Sequence, residues 1–199
     1  LHTELSAAKK DGVTWNILGQ QVLLSSIRRA DGSAMSLEKW DGYPAARERL
    51  FAHLEREAIE DVVILTGDFH SSWAIDVPRD PFGDGGYDRE TGHGSMAVEF
   101  VTPGISAPGS HDRQKALDTA AELIEHNRHL RWVDFISQGY ALLDIDRDRV
   151  QCEWYFVSDV RKRASGEHFA RGYASKRGQS LLQRVETPSR ARHDAPPLA

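Results

Sequence analysis

The chain has 199 residues, 40% of them hydrophobic and 28% charged, so it is long enough to bury a core as a single domain. Its formal net charge is −5 and its basic residues are dispersed, which argues against a nucleic-acid partner. The single cysteine, Cys152, excludes an internal disulfide and a cysteine-rich zinc site. The longest purely apolar runs, such as residues 62–65, are far shorter than the roughly 20 residues of a membrane helix, so we expect no membrane span.

The start of the chain, LHTELSAAKK, lacks the apolar stretch of a signal peptide. Its first residue is leucine rather than methionine, and we therefore expect the natural protein to extend upstream of Leu1. Residues 2–10 are interpreted as the end of a helix.

Strand and helix patterns alternate in the first half of the chain. Residues 15–27 are predicted as a strand from their apolar content, and residues 28–43, with two Asp-Gly pairs, as a loop. Pro44 suits the first turn of a helix, and apolar residues at helical spacing continue this helix to residue 58. The continuous apolar strand 61–66 follows directly and is typical of a strand buried on both faces. This order predicts a layered α/β domain.

The second half contains further strands, one helix and a polar tail. We predict strands at residues 71–77, 96–103, 140–146 and 150–158, a long surface loop at 78–95, an amphipathic helix at 113–127 and a partly disordered polar tail at 161–199. The last two strands are predicted to form a hairpin. The domain therefore covers residues 1–160, with the tail outside it.

The strongest chemical signal is the motif DVVILTGDFH at residues 61–70. A buried strand ends at Gly67, where we expect the backbone to turn, and Asp68 and His70 follow it. Ligands of layered α/β sheets bind beyond the carboxyl ends of strands, and a carboxylate beside an imidazole suits iron, manganese or zinc. The alternative is a surface turn in which Asp68 caps a backbone N–H and His70 is merely exposed.

A second motif, WDGYPAARERL, precedes and begins the predicted helix at Pro44. Asp41 is interpreted first as a helix cap or turn residue, with Trp40 and Tyr43 packed around the helix start. The functional alternative places Asp41, Tyr43 or Arg47 at the rim of a site, where the arginine meets an anionic group of a substrate.

A third motif, HNRHLRW, follows the predicted helix 113–127. His126, Asn127 and His129 are candidate ligands of a second ion. We favour helix capping here, because asparagine and cationic residues commonly end helices.

Taken together, several motifs resemble the alkaline phosphatase D (PhoD) family, and they cover roughly residues 14–157 in the family's order: WNILGQQV, WDGYPAARERL, VVILTGDFHSSWAIDV, AVEFVTPGISAPG and HLRWVDFISQGYALLDI. That family belongs to the calcineurin-like metallophosphoesterases. The resemblance implies an α/β sandwich with a mixed sheet, flanking helices and metal ligands on loops at strand ends. The family's earlier ligand motifs are not in this chain, so we expect it to form the C-terminal half of such a sandwich.

Within this resemblance, the GDxH segment implies that Asp68 and His70 are metal ligands, of iron with calcium or alternatively of manganese or zinc. It assigns nothing to Asn127, because this chain has Asn-Arg-His where the family tends to have Asn-Pro-His. Asp41 and Arg47 remain weaker candidates for substrate binding, and no residue is assigned as a catalytic acid, base or nucleophile.

The resemblance also implies a hydrolase that uses metal-activated water to cleave small phosphate monoesters or diesters. It implies a periplasmic or extracellular location after export, while the oligomeric state stays open. We expect the chain alone to be inactive. Two alternatives remain, an inactive binding or interaction module on the same fold and a metal-dependent nuclease.

Overall fold

The computed structural model describes residues 1–163 and 166–190. The described helices are α1 (His2–Lys10), α2 (Pro44–Arg56) and α3 (Arg113–His126), with a short 3-10 helix at Trp40–Gly42. The strands are β1 (Asn16–Gln20), β2 (Val62–Thr66), β3 (Ser72–Pro78), β4 (Ser95–Val101), β5 (Leu130–Asp134), β6 (Gly139–Ile145), β7 (Arg149–Val157), β8 (Glu167–Lys176) and β9 (Gln183–Val185). Within these ranges, none of the helices has the length and apolar character required to cross a membrane.

The strands form two sheets. The first is a mixed five-stranded sheet in the order β1-β2-β4-β3-β5, in which β1, β2 and β4 run parallel and β3 runs antiparallel to β4 and β5. The second is an antiparallel four-stranded sheet in the order β6-β7-β8-β9. The three parallel strands therefore end at one edge of the mixed sheet.

Three apolar clusters hold the layers together. The face of the mixed sheet that carries Ile64 packs against α1 and α2, and a neighbouring cluster around Trp73 packs against α3. The opposite face packs against the second sheet, where Trp154 is fully buried and donates its Nε1–H to the carbonyl of Val101 at 3.0 Å. The chain is thus a layered α/β/β structure, which confirms the predicted α/β class with a mixed sheet and flanking helices.

Local patterns explain the elements that the sequence predicts well. Helix α2 begins with Pro44 and buries Leu50, Phe51 and Leu54 on one face. Strand β2 is apolar throughout and is almost entirely buried, as expected for an inner parallel strand.

The predicted strand at residues 15–27 is wrong beyond Gln20. Leu24 and Ile27 are buried as their apolar character predicts, but their backbone N–H groups bond to side chains, those of Glu99 and Asp41, instead of to a neighbouring strand. Residues 21–28 therefore form an irregular segment, of which residues 23–27 are largely buried.

Three strands are missed by the sequence analysis. Strand β5 follows α3 after only three residues and is itself five residues long, and β8 and β9 lie in the polar segment interpreted as a tail. Strand β8 is polar at its start because that end is exposed, whereas Tyr173 and Ser175 near its end are buried. The predicted disorder of residues 191–199 falls outside the described residues, and the domain boundary at residue 160 stays a prediction.

Candidate functional site

The carboxyl ends of the parallel strands surround the loop formed by residues 67–70. The N–H of Gly67 donates to the carbonyl of Gln20 at the end of β1, at 3.2 Å. On the other side, the N–H of Thr102 after β4 donates to the carbonyl of Thr66, at 2.9 Å. The loop therefore continues directly from the sheet, and its position is fixed by the two neighbouring strands.

The turn in this loop is made by Asp68 and His70 and not, as we expected, by Gly67. Asp68 has φ 66° and His70 has φ 50°, both in the left-handed region that few non-glycine residues adopt and that asparagine, aspartate and histidine adopt most readily. Between them, Phe69 packs edge-on against the buried Trp73, with ring centroids 5.2 Å apart. Holding a non-glycine residue in this region costs of order 1 kcal/mol, and the described part of the chain does so at Ala58 and Asp61 as well as at Asp68 and His70.

The side chains of Asp68 and His70 are exposed at the same loop, while Phe69 is partly buried. The Asp68 carboxylate forms an ion pair with the ammonium group of Lys39. This contact lowers the pKa of Asp68, and a smaller contribution from His70 acts in the same direction. Asp68 is thus ionised at neutral pH.

An ionised carboxylate and an imidazole fit the donor set that iron, manganese and zinc prefer. Exposure leaves both side chains accessible to an ion, so the two residues are suitable as ligands. Among residues 1–163 and 166–190, however, no group of three or more histidine, cysteine, aspartate or glutamate side chains is placed to hold a metal. The described residues therefore offer two candidate ligands and not a complete coordination sphere.

His70 also lines a surface cleft of about 530 Å³. The cleft continues over Ser110 and Asp112 to Lys115 in the first turn of α3. Asp112 caps that helix by accepting a hydrogen bond from the N–H of Lys115 at 3.0 Å. The candidate ligand thus adjoins a cleft that contains a cationic side chain.

Comparison with known proteins identifies the family of this chain. The profile of the PhoD-like phosphatase family matches residues 1–154. The chain belongs to the PhoD-like phosphatase family. Among curated proteins, it is similar to alkaline phosphatase D of Bacillus subtilis (strain 168), with 25% identity over 175 residues, which are 87% of this chain and 28% of the relative.

The family resemblance seen in the motifs is therefore confirmed, and the fold agrees with it. A solved structure described as the structure of PhoD superimposes with a TM-score of 0.77 at 22% sequence identity, covering 94% of this chain and 35% of that one. The chain spans between about a quarter and about a third of the length of these two relatives.

In this PhoD-like fold, Asp41 and Arg47 form a largely buried ion pair at 2.6 Å. The Asp41 carboxylate also accepts hydrogen bonds from the Ser26 hydroxyl at 2.6 Å and the Ile27 N–H at 3.1 Å. Asp41 is not the cap of α2, because Tyr43 occupies that position and its side chain makes no capping hydrogen bond. The described contacts of both residues connect parts of the fold, and their role in substrate binding stays a prediction.

Asn127 and His129 are fully buried and contact the backbone of the irregular segment 21–28. Asn127 ends α3, donates to the carbonyl of Leu123 at 2.8 Å, and exchanges two 2.8 Å hydrogen bonds with the backbone of Arg28. The His129 Nε2 atom lies 2.8 Å from the carbonyl oxygen of Ser26. These contacts agree with the capping interpretation for Asn127 and give His129 a structural contact.

Sequence reasoning missed Glu99, a fully buried acid in the middle of β4. Its two oxygens accept hydrogen bonds from the backbone N–H groups of Leu24 and Ser25 and from the hydroxyls of Ser25 and Thr66, at 2.6–2.9 Å. Burial raises the pKa of Glu99, and the four hydrogen bonds oppose that rise. The sequence signal that could have indicated Glu99 is a single acid within the apolar strand 96–101, because a buried carboxylate requires hydrogen-bond partners.

Proposed function

We propose that this chain contributes Asp68 and His70 to the metal centre of a phosphatase that hydrolyses small phosphate monoesters or diesters. The observation that carries the proposal is the turn at Asp68 and His70, which directly follows the buried strand β2. It holds an ionised carboxylate and an imidazole exposed at the carboxyl edge of the sheet. Membership of the PhoD-like phosphatase family supports the reaction class.

A metal bound there would neutralise charge on the phosphoryl group and lower the pKa of a coordinated water. Asp68 would hold such an ion through its carboxylate, and His70 would either be a second ligand or orient the phosphate. Carboxylate with imidazole suits iron, manganese or zinc, while calcium takes oxygen ligands such as Asp68. Iron with calcium, the pair that the family resemblance implies, is the one that we propose, with manganese and zinc as substitutes.

The cleft beside His70 suits the remainder of the substrate. Lys115 in its lining supplies a cationic group for a phosphoester anion, while the nearby Asp112 balances the net charge of the cleft. The proposed partner is therefore a small phosphoester, and the proposed location is periplasmic or extracellular.

We also propose that the 199-residue chain alone binds metal weakly and has little activity. Centres of this type hold four to six ligands, and Asp68 and His70 provide two of them. Robust turnover by the chain alone, abolished by Asp68→Ala, would contradict this part of the proposal.

The test compares metal content and turnover in the full-length protein. Asp68→Asn and His70→Asn keep a residue type that tolerates the left-handed backbone but remove the ligand chemistry, and Asp84→Asn, at an exposed loop position, is the matched control. Elemental analysis measures bound metal, and p-nitrophenyl phosphate and bis(p-nitrophenyl) phosphate report activity. We expect both site variants to lose metal and at least about 100-fold in rate, corresponding to the several kcal/mol that a metal supplies.

The alternatives give different results in the same experiment. An inactive binding module shows no turnover of either ester in the unmodified protein. A nuclease cleaves supercoiled DNA in preference to both small esters.

A further inference from the structure

Lys39 connects the irregular segment of the chain to the candidate metal ligand. Its ammonium group pairs with Oδ2 of Asp68 and lies 5.0 Å from the centroid of the Phe69 ring. The Lys39 side chain is only 14% exposed, whereas that of Asp68 is 55% exposed. Lys39 is therefore held against the fold along most of its length, unlike a surface lysine in solvent.

The backbone on the C-terminal side of Lys39 is also fixed. The N–H of Trp40 donates to the carbonyl of Leu23 at 3.2 Å, and the indole N–H of Trp40 donates to Oε1 of Gln20 at 3.1 Å. Gln20 ends β1, so Lys39 is anchored to the same sheet edge that carries Asp68. This anchoring places the ammonium at the carboxylate before any ligand arrives.

We propose that Lys39 competes with the metal for the Asp68 carboxylate and thereby lowers the affinity of the site for metal. This inference rests on the proposed function, because it takes Asp68 to be a ligand. The ammonium and a metal ion need the same oxygen and repel each other, so a metal binds Oδ2 only when Lys39 moves away or shares it. Lys39 is thus a positioning residue that acts through Asp68.

The size of the effect follows from the exposure of the pair. Lys39 is largely covered, but Asp68 is half exposed, so solvent still screens the interaction between the two charges. Breaking it therefore strengthens metal binding by about two- to five-fold.

The test measures Mn²⁺ affinity in full-length protein that has been stripped of metal by chelation, using the electron paramagnetic resonance signal of free Mn²⁺. Lys39→Gln removes the charge, Lys39→Met does so while keeping an apolar stem against Phe69, and Lys39→Arg keeps the charge. Lys10→Gln, on the exposed end of α1, controls for the change in net charge. Asp68→Asn defines which part of the binding depends on Asp68.

We expect Lys39→Gln and Lys39→Met to bind Mn²⁺ about two- to five-fold more tightly than the unmodified protein. Lys39→Arg and Lys10→Gln should leave the affinity unchanged. Equal, Asp68-dependent affinity in the unmodified protein and both neutral variants would overturn the competition and leave the proposed function intact. Binding that does not depend on Asp68 in any of these proteins would overturn the metal site itself, and the competition with it.

Discussion

Acidification should destabilise the irregular segment 21–28 through His129. This imidazole is fully buried, and burial lowers the pKa of His129 to about 4, although the nearby carbonyl of Ser26 acts in the opposite direction. At neutral pH the ring is therefore uncharged and its Nε2–H donates to that carbonyl at 2.8 Å. Among the described residues, Nδ1 has no hydrogen-bond partner, so a proton placed there has no acceptor.

The expected loss of stability follows from the pKa of His129 in the unfolded and in the folded state. In the unfolded chain His129 has its ordinary pKa of about 6.5, so between pH 6.5 and 4 the unfolded state binds more protons than the folded state. Stability is therefore lost as the pH falls. With a folded pKa of about 4, the loss is about 1 kcal/mol between pH 7.5 and 5.5 and about 2–3 kcal/mol between pH 7.5 and 4.5.

Urea unfolding at pH 7.5, 5.5 and 4.5 measures this effect, with His129→Gln as the reference protein. Glutamine keeps an N–H donor for the Ser26 carbonyl but does not titrate. Buried acids with a raised pKa, such as Glu99, have the opposite pH dependence, but they are common to both proteins and cancel in the difference. If both proteins lose the same stability between pH 7.5 and 4.5, the reasoning about His129 is refuted.

Three further predictions concern stability. Glu99→Gln should lower the free energy of unfolding by about 2–4 kcal/mol, because the NH2 donor of the amide would face the backbone N–H donor of Ser25 or Leu24. Urea unfolding equal to that of the unmodified chain would contradict this. Arg131→Met should lower the free energy of unfolding by about 3–5 kcal/mol in the same assay, because it leaves the fully buried Asp76 carboxylate without its guanidinium partner. The double variant Arg131→Met, Asp76→Asn should recover part of this loss. His70→Gly should raise the free energy of unfolding by about 0.5–1 kcal/mol through relieved strain, and with it the melting temperature, while metal binding falls. A lower melting temperature would argue against strain at this position.

The sequence predicts well those elements whose signal is local. Helix α2 follows from Pro44 and a helical apolar pattern, and β2 follows from its continuous apolar run. The sequence signal for Asp68 and His70 is also local, because both residues directly follow the apolar run of β2. Their exposure at the carboxyl edge could therefore be anticipated, whereas the left-handed backbone that exposes them could not.

The contacts that fix the irregular segment could not be predicted, because their partners are distant in sequence. Glu99 binds the backbone of Leu24 across a separation of 75 residues, and Asn127 binds that of Arg28 across 99. The apolar residues in this segment predicted burial correctly, but apolar content alone does not distinguish a buried strand from a buried loop. Lys39 could not be predicted for the same reason, because its ion pair with Asp68 depends on how the loop that contains Lys39 packs.

The central claim is that Asp68 and His70 bind a metal, and an anomalous-difference map tests it most directly. Crystals of the full-length protein, grown with Mn²⁺ or Fe, should show a peak within about 2.0–2.2 Å of a carboxylate oxygen of Asp68 and of a ring nitrogen of His70. Metal peaks that lie away from both residues, in a map where Asp68 still pairs with Lys39, would contradict the account.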